Sequence, residues 1–152
     1  QEVRSQHPSY WENLIDIYTV RAALESHATY LAAQHMDEPR ITALQTRMED
    51  MGSALANHDF EGLVNAHNQF HLVIYAAANH AGLFDIIQRY MAQANAYIRL
   101  SLTVGRGATD PIREHKDLVQ ILKYQDSEAA GSLMRSHLEI TMRELEEIIQ
   151  RQ

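Results

Sequence analysis

Apolar residues recur along this chain at spacings of three and four almost from end to end. No segment alternates with the period of two that a half-buried strand needs, so the pattern predicts helices throughout. Gln1 to Pro8 is polar and aperiodic and reads as the end of a linker. From about Tyr10 to His35 the stripe Leu14, Ile17, Arg21, Leu24, Ala28, Leu31 marks a first helix. Asp37-Glu38-Pro39 then has the cap, acidic first turn and early proline of a helix start. The second helix carries Ile41, Leu44, Met48, Met51 and Leu55. Asp59 is placed to cap a third, whose inward face is Leu63, Val64, His67, Phe70, His71 and Ile74.

Asn79-His80-Ala81-Gly82 breaks the pattern. A fourth helix is predicted from Leu83 to Leu102, followed by a loop at Gly105-Arg106-Gly107. Asp110-Pro111 starts a fifth with Ile112, His115, Leu118, Val119 and Leu122 inward. Asp126 caps a sixth, bearing Ala130, Leu133, His137, Ile140, Thr141, Leu145 and Ile148. About six helices joined by short loops imply an all-α antiparallel bundle.

Four positions on these apolar faces are histidines: His67, His71, His115 and His137. Residues four apart on a helix differ by only about 40° in direction, so His67 and His71 project together. His115 and His137 hold the same inward register on two later helices. Facing helices of a bundle build metal sites in this way, around a central metal or ligand cavity. Neutral imidazole suits a divalent transition ion, zinc first, with nickel, copper or iron as alternatives. The competing reading of any one of them is a hydrogen-bonded core histidine. His7, His58 and His80 fall at element ends, and His27 and His35 on the first helix fit either surface or core.

Arg21 is the other anomaly of the apolar stripes. It is either half of a buried ion pair, for instance with Glu25 one turn on, or an anion clamp inside the bundle. Arg99 and Asn95 share a face of the fourth helix and either reach the same cavity or form an exposed polar face.

Composition narrows the function. A chain of 152 residues is one domain with a real core. Its net charge of -7 argues against nucleic-acid binding by this segment itself. It has no cysteine, hence no disulfide, thiolate ligand or cysteine nucleophile, which is compatible with the cytoplasm. No apolar run has the length of a membrane span. Glycine-rich phosphate loops, nucleophile elbows and zinc-protease motifs are all missing, so no catalytic residues are assigned.

Several short stretches together resemble a known family. They are Val20-Arg21-Ala22-Ala23-Leu24-Glu25, Leu31-Ala32-Ala33, His67-Asn68-Gln69-Phe70-His71, Ala76-Ala77-Ala78-Asn79, Glu114-His115 and Met134-Arg135-Ser136-His137-Leu138. Their order and spacing resemble the FCD domain, the C-terminal effector domain of FadR-type regulators in the GntR family of bacterial transcription factors. The resemblance runs from about Ile15 to Ile148 and makes residues 9–152 the effector domain. It implies a helical bundle that binds a small carboxylate or sugar acid at a metal held by an aspartate and three histidines. Carried over, His71, His115 and His137 match the histidine ligands, and His67 stands where aspartate is usual. With a divalent ion an all-histidine site carries a net charge of about +2 in place of about +1, and so attracts anions more strongly.

The resemblance also implies a homodimer and an N-terminal winged-helix domain, outside this chain, that contacts DNA. The expectation is therefore a cytoplasmic effector sensor that is not an enzyme, with Arg21, Arg99 and Asn95 binding the far end of the acid. The rival is a small helical metalloenzyme using the same histidines. A third reading is a structural bundle without metal.

Overall fold

The computed structural model describes the backbone of residues 2–104 and 111–151 and the side chains of residues 12–104 and 112–151. The described residues form seven helices and no strand. They are α1 (Glu2–Ala33), α2 (Glu38–Ala56), α3 (Phe60–Ala76), α4 (Ala81–Gln93), α5 (Asn95–Val104), α6 (Pro111–Lys123) and α7 (Ser127–Gln150). The all-helical expectation holds. None of these helices is long and apolar enough to cross a membrane.

Helix α1 starts at Glu2, so residues 2–8 continue the helix that was expected to begin near Tyr10. Two expectations, the loop at Gly105-Arg106-Gly107 and the cap at Asp110, lie outside the described residues. The predicted fourth helix is two helices, which meet at Ala94 (φ -84°, ψ -2°). Neither proline nor glycine marks this break. Ile87, Met91, Ala94, Ile98 and Leu102 are all buried, so the apolar stripe passes through it without a change of period.

The other three aspartates read as caps all serve as caps. Asp37 accepts a hydrogen bond from the Arg40 amide, Asp59 from Gly62 and Asp126 from Ala129. Two of the preceding turns share one design. His58 and Gln125 both adopt positive φ, 54° in each case. Asp59 N–H donates back to Ala54 O while His58 N–H donates to Leu55 O. Asp126 and Gln125 repeat this with Ile121 and Leu122. Each is a left-handed helix stop followed at once by an aspartate start, which reverses the chain within three residues.

Helix α1 lies at the centre, packed along α7 and against α3 and α4, while α2 pairs with α3 and α6. Two adjacent faces of α1 are therefore buried. Leu14, Ile17, Tyr18, Ala22, Ala28 and Ala32 supply the apolar part, and Arg21, Glu25 and Thr29 are buried among them. Helices α1 and α7 approach closely at Gly131, where a Cβ would lie 3.1 Å from the Ser26 carbonyl oxygen and 3.3 Å from Tyr30 Cβ. A larger side chain there must push α7 away from α1. Gly131→Leu is expected to cost about 1–3 kcal/mol and to lower Tm by several degrees in thermal denaturation. An unchanged Tm would show that this contact does not set the helix spacing.

Candidate functional site

Three helices bring the four inward histidines together. Helix α3 carries His67 and His71, α6 carries His115, and α7 carries His137. The first three are buried, and His137 is 23% exposed. Ring centroids are 4.5 Å apart for His67 and His71, 5.1 Å for His67 and His115, and 5.9 Å for His115 and His137. Candidate ligand atoms of His67, His71 and His137 lie within 4.8 Å of one another. His115 joins them through its Nε2, 3.1 Å from His71 Nε2.

The outer ring nitrogens of three of them are occupied, and this determines what the inner ones can do. His71 Nδ1 lies 3.1 Å from the Tyr75 hydroxyl, which itself donates to Glu25 Oε1 at 2.5 Å. A hydroxyl has one proton, so His71 must donate its Nδ1–H to Tyr75 and keep a free lone pair on Nε2. His137 Nδ1 donates to Glu114 Oε2 at 2.6 Å. His67 Nδ1 pairs with Asn68 Oδ1 at 3.3 Å. Three imidazoles thus have Nδ1 engaged and Nε2 left for the shared centre, the arrangement that orients metal-binding histidines.

Charge agrees with geometry. Burial, then the neighbouring His115 and His137, hold His67 well below the usual histidine range. Burial, then His67 and His115, do the same to His71. Both are neutral near pH 7, the form in which histidine binds metal. Two ligands on one tetrahedral ion at about 2.0–2.1 Å stand about 3.3–3.4 Å apart, close to the 3.1 Å between His71 and His115. His67, His71 and His137 could therefore hold a divalent transition ion, with His115 beside them. Such an ion supplies a positive centre able to accept an anionic ligand.

Behind His71 the network runs into α1. Glu25 receives Tyr75 on one side and Arg21 on the other, with Arg21 Nε at 2.6 Å from Oε2 and its terminal nitrogen at 3.1 Å from Oε1. Burial alone would lower the pKa of Arg21, but the charge of Glu25 outweighs it and holds the guanidinium above its usual value. Burial, with Glu25 next to it, pushes the Tyr75 phenol well above its ordinary range, so it stays a donor. A cavity of about 40 Å³ lies against the histidines, lined also by Tyr18, Arg21, Ser101 and Thr141.

Of the side chains expected at the far end of a ligand, Arg21 lines this cavity as one half of the buried ion pair with Glu25. Asn95 and Arg99 are not brought to it. Asn95 is exposed and meets Asn68, and Arg99 forms a two-pronged pair with Glu61 at the surface. Helix α5 reaches the cavity with Ile98, Ser101 and Leu102 instead. His27, His35, His58 and His80 are exposed. Sequence reasoning missed Tyr75 and Glu114 as partners of the histidines. Tyr75 stands four residues beyond His71, as His71 does beyond His67, so the helical spacing was there to find it. Glu114 is mostly exposed and sits on the polar side of its helix, so periodicity gave no signal.

The FCD domain family model matches residues 16–140. This chain belongs to the FCD domain family. An HTH-type transcriptional regulator of Bacillus subtilis, YdhC, is 23% identical over 137 residues, which are 89% of this chain and 61% of that protein. The chain thus spans about three fifths of the length of that curated relative. Among solved structures, a GntR-family regulator of Pseudomonas syringae superposes with a TM-score of 0.79 at 21% identity, covering 93% of this chain and 59% of that one. E. coli McbR/YncC superposes at 0.74 with 22% identity, covering 86% and 68%. These likenesses show that the helical fold is that of FCD structures.

Two predictions follow from the hydrogen bonds of this FCD domain. Tyr75→Phe removes the acceptor of His71 Nδ1–H and is expected to weaken zinc binding about 10- to 100-fold in a chelator competition, with the fold retained. Unchanged affinity would make Tyr75 a purely structural residue. The chelator-treated domain should also lose stability in acid. Because His67 and His71 are held below the ordinary 6.5, the unfolded chain takes up protons first as pH falls through that value. Stability is therefore complete above pH 6.5 and declines below it, by at most about 2.7 kcal/mol per pH unit for two groups. Denaturant titrations at pH 7.5 and 5.5 measure the difference, and equal stabilities would contradict it.

Proposed function

We propose that this chain is the effector-sensing domain of a GntR/FadR-type transcription regulator, binding a small organic acid at a buried divalent metal. The observation that carries the reading is the convergence of four histidines, three of which have an outer nitrogen held, by Asn68, Tyr75 and Glu114. Zinc is the ion proposed, with nickel the alternative. A carboxylate or sugar acid is the proposed effector because four neutral ligands leave the charge of the ion uncompensated. DNA contact belongs to a winged-helix domain N-terminal to this segment, and the regulator acts as a cytoplasmic homodimer.

The small cavity suggests how binding is transmitted. Pockets for small organic ligands usually measure about 300–1,000 Å³, far more than the 40 Å³ here. A sugar acid must part α5 and α7 from α1 to enter. Helix α1 leads toward the proposed DNA-binding domain, so parting these helices moves it. Coupling of this kind is typically worth about 1–3 kcal/mol, enough to change operator occupancy severalfold. Of the two carboxylates lining the cavity, Glu114 is committed to His137 and Glu144 is also engaged, which favours sensing over catalysis.

Elemental analysis of untagged protein tests the reading. About one zinc or nickel per chain is expected, together with a clear fall in Tm on chelation. Metal-free protein with an intact fold and an unchanged Tm would sink it. Arg21→Ala is a poor test of ligand binding, since leaving Glu25 buried and unpaired is expected to cost about 3–5 kcal/mol.

A further inference from the structure

Tyr18 sits on α1, one turn before Arg21, and lines the cavity beside the histidines. It is 1% exposed. Among the described residues its hydroxyl is the only buried side-chain nitrogen or oxygen without a hydrogen-bond partner. Buried polar groups are almost always paired, so an unpaired one calls for a reason. The ring itself is well fixed. Tyr97 packs edge-on against it with centroids 6.3 Å apart, and the Arg21 guanidinium carbon lies 4.8 Å from its centre. The Arg21 guanidinium is directed at Glu25 by two of its nitrogens. Ser101 and Thr141 add further hydroxyls around the same space.

We propose that the Tyr18 hydroxyl is a ligand-recognition group, donating a hydrogen bond to a carboxylate oxygen of the small acid seated in this cavity. The inference rests on the reading of the cavity as an effector site and goes beyond it by naming the contact that selects the acid. The other polar groups of the α1 network already have partners: Arg21 pairs with Glu25, Glu25 accepts from Tyr75, and Thr29 donates to the Glu25 carbonyl. Among the described residues, the Tyr18 hydroxyl is the buried group of that helix that has no partner at all. Burial raises the pKa of its phenol, so the proton is present near neutral pH. Tyr18 and the histidines line the same cavity from different helices, so one ligand can touch both.

The test uses the untagged, zinc-loaded chain and its Tyr18→Phe variant. Acetate, glycolate, malonate and malate are titrated into each by calorimetry. Wild type is expected to bind at least one of them, and Tyr18→Phe to bind it about 10- to 100-fold more weakly with zinc content unchanged. The ligand-free melting temperature supplies a second measurement, in which Tyr18→Phe should equal or exceed wild type because the hydroxyl donates to no internal acceptor, its Arg21 neighbour being a cation. Equal affinity of the two proteins overturns the role of Tyr18 alone, leaving the site to water. A clearly lower ligand-free Tm in the variant also overturns it, since the hydroxyl would then have an internal partner. Zinc-loaded wild type that binds none of the four acids overturns the effector site and this contact with it.

Discussion

The buried pair of Arg21 and Glu25 is the constraint around which this molecule is arranged. Both side chains stand on the central helix with at most 2% exposure. Burying two charges is costly, and a buried pair is seldom a net gain over apolar residues of the same size. Its value lies in placement. Glu25 can accept from Tyr75 because Arg21 neutralises it, and Tyr75 can then accept from only one direction, that of His71 Nδ1. A charge pair on α1 thereby sets the tautomer of an imidazole on α3 and turns its free nitrogen toward His115 and the shared centre.

Two of the other histidines have holders of their own. Asn68 is the next residue along α3 from His67, and Glu114 reaches from α6 to His137 on α7. Phe70 closes the apolar side, its ring 4.7 Å from His115 and 5.6 Å from His71. Helices α1 and α7 pack closely at Gly131, and both also line the small cavity. A site built between packed helices cannot admit a larger ligand without moving them, because close-packed interiors do not yield smoothly. Recognition and transmission are thus properties of the same contacts.

Much of this was legible in the chain. The caps at Asp37, Asp59 and Asp126 follow from local chemistry, and the four histidines follow from helical period. The α4–α5 break was hidden because Ala94 keeps the apolar stripe in phase. Arg99 was misjudged as a cavity residue because a shared face with Asn95 does not say which way that face points. Ile98 and Leu102 hold the inward positions of α5, and Glu61 on α3 draws Arg99 outward. The ion pair of Arg21 with Glu25 was visible as one of two alternatives, since residues four apart meet on a helix. Tyr18 carried no mark in the sequence at all. An unpaired hydroxyl becomes evident only when its surroundings are in place.

X-ray absorption at the zinc edge, recorded on the untagged chain, tests the central claim most directly. The account predicts a shell of nitrogen ligands at about 2.0–2.1 Å, with the outer scattering of at least three imidazole rings. Tyr75→Phe should disturb that shell without unfolding the protein. A shell of oxygen scatterers without imidazole rings, or a chain that retains no metal, would contradict it.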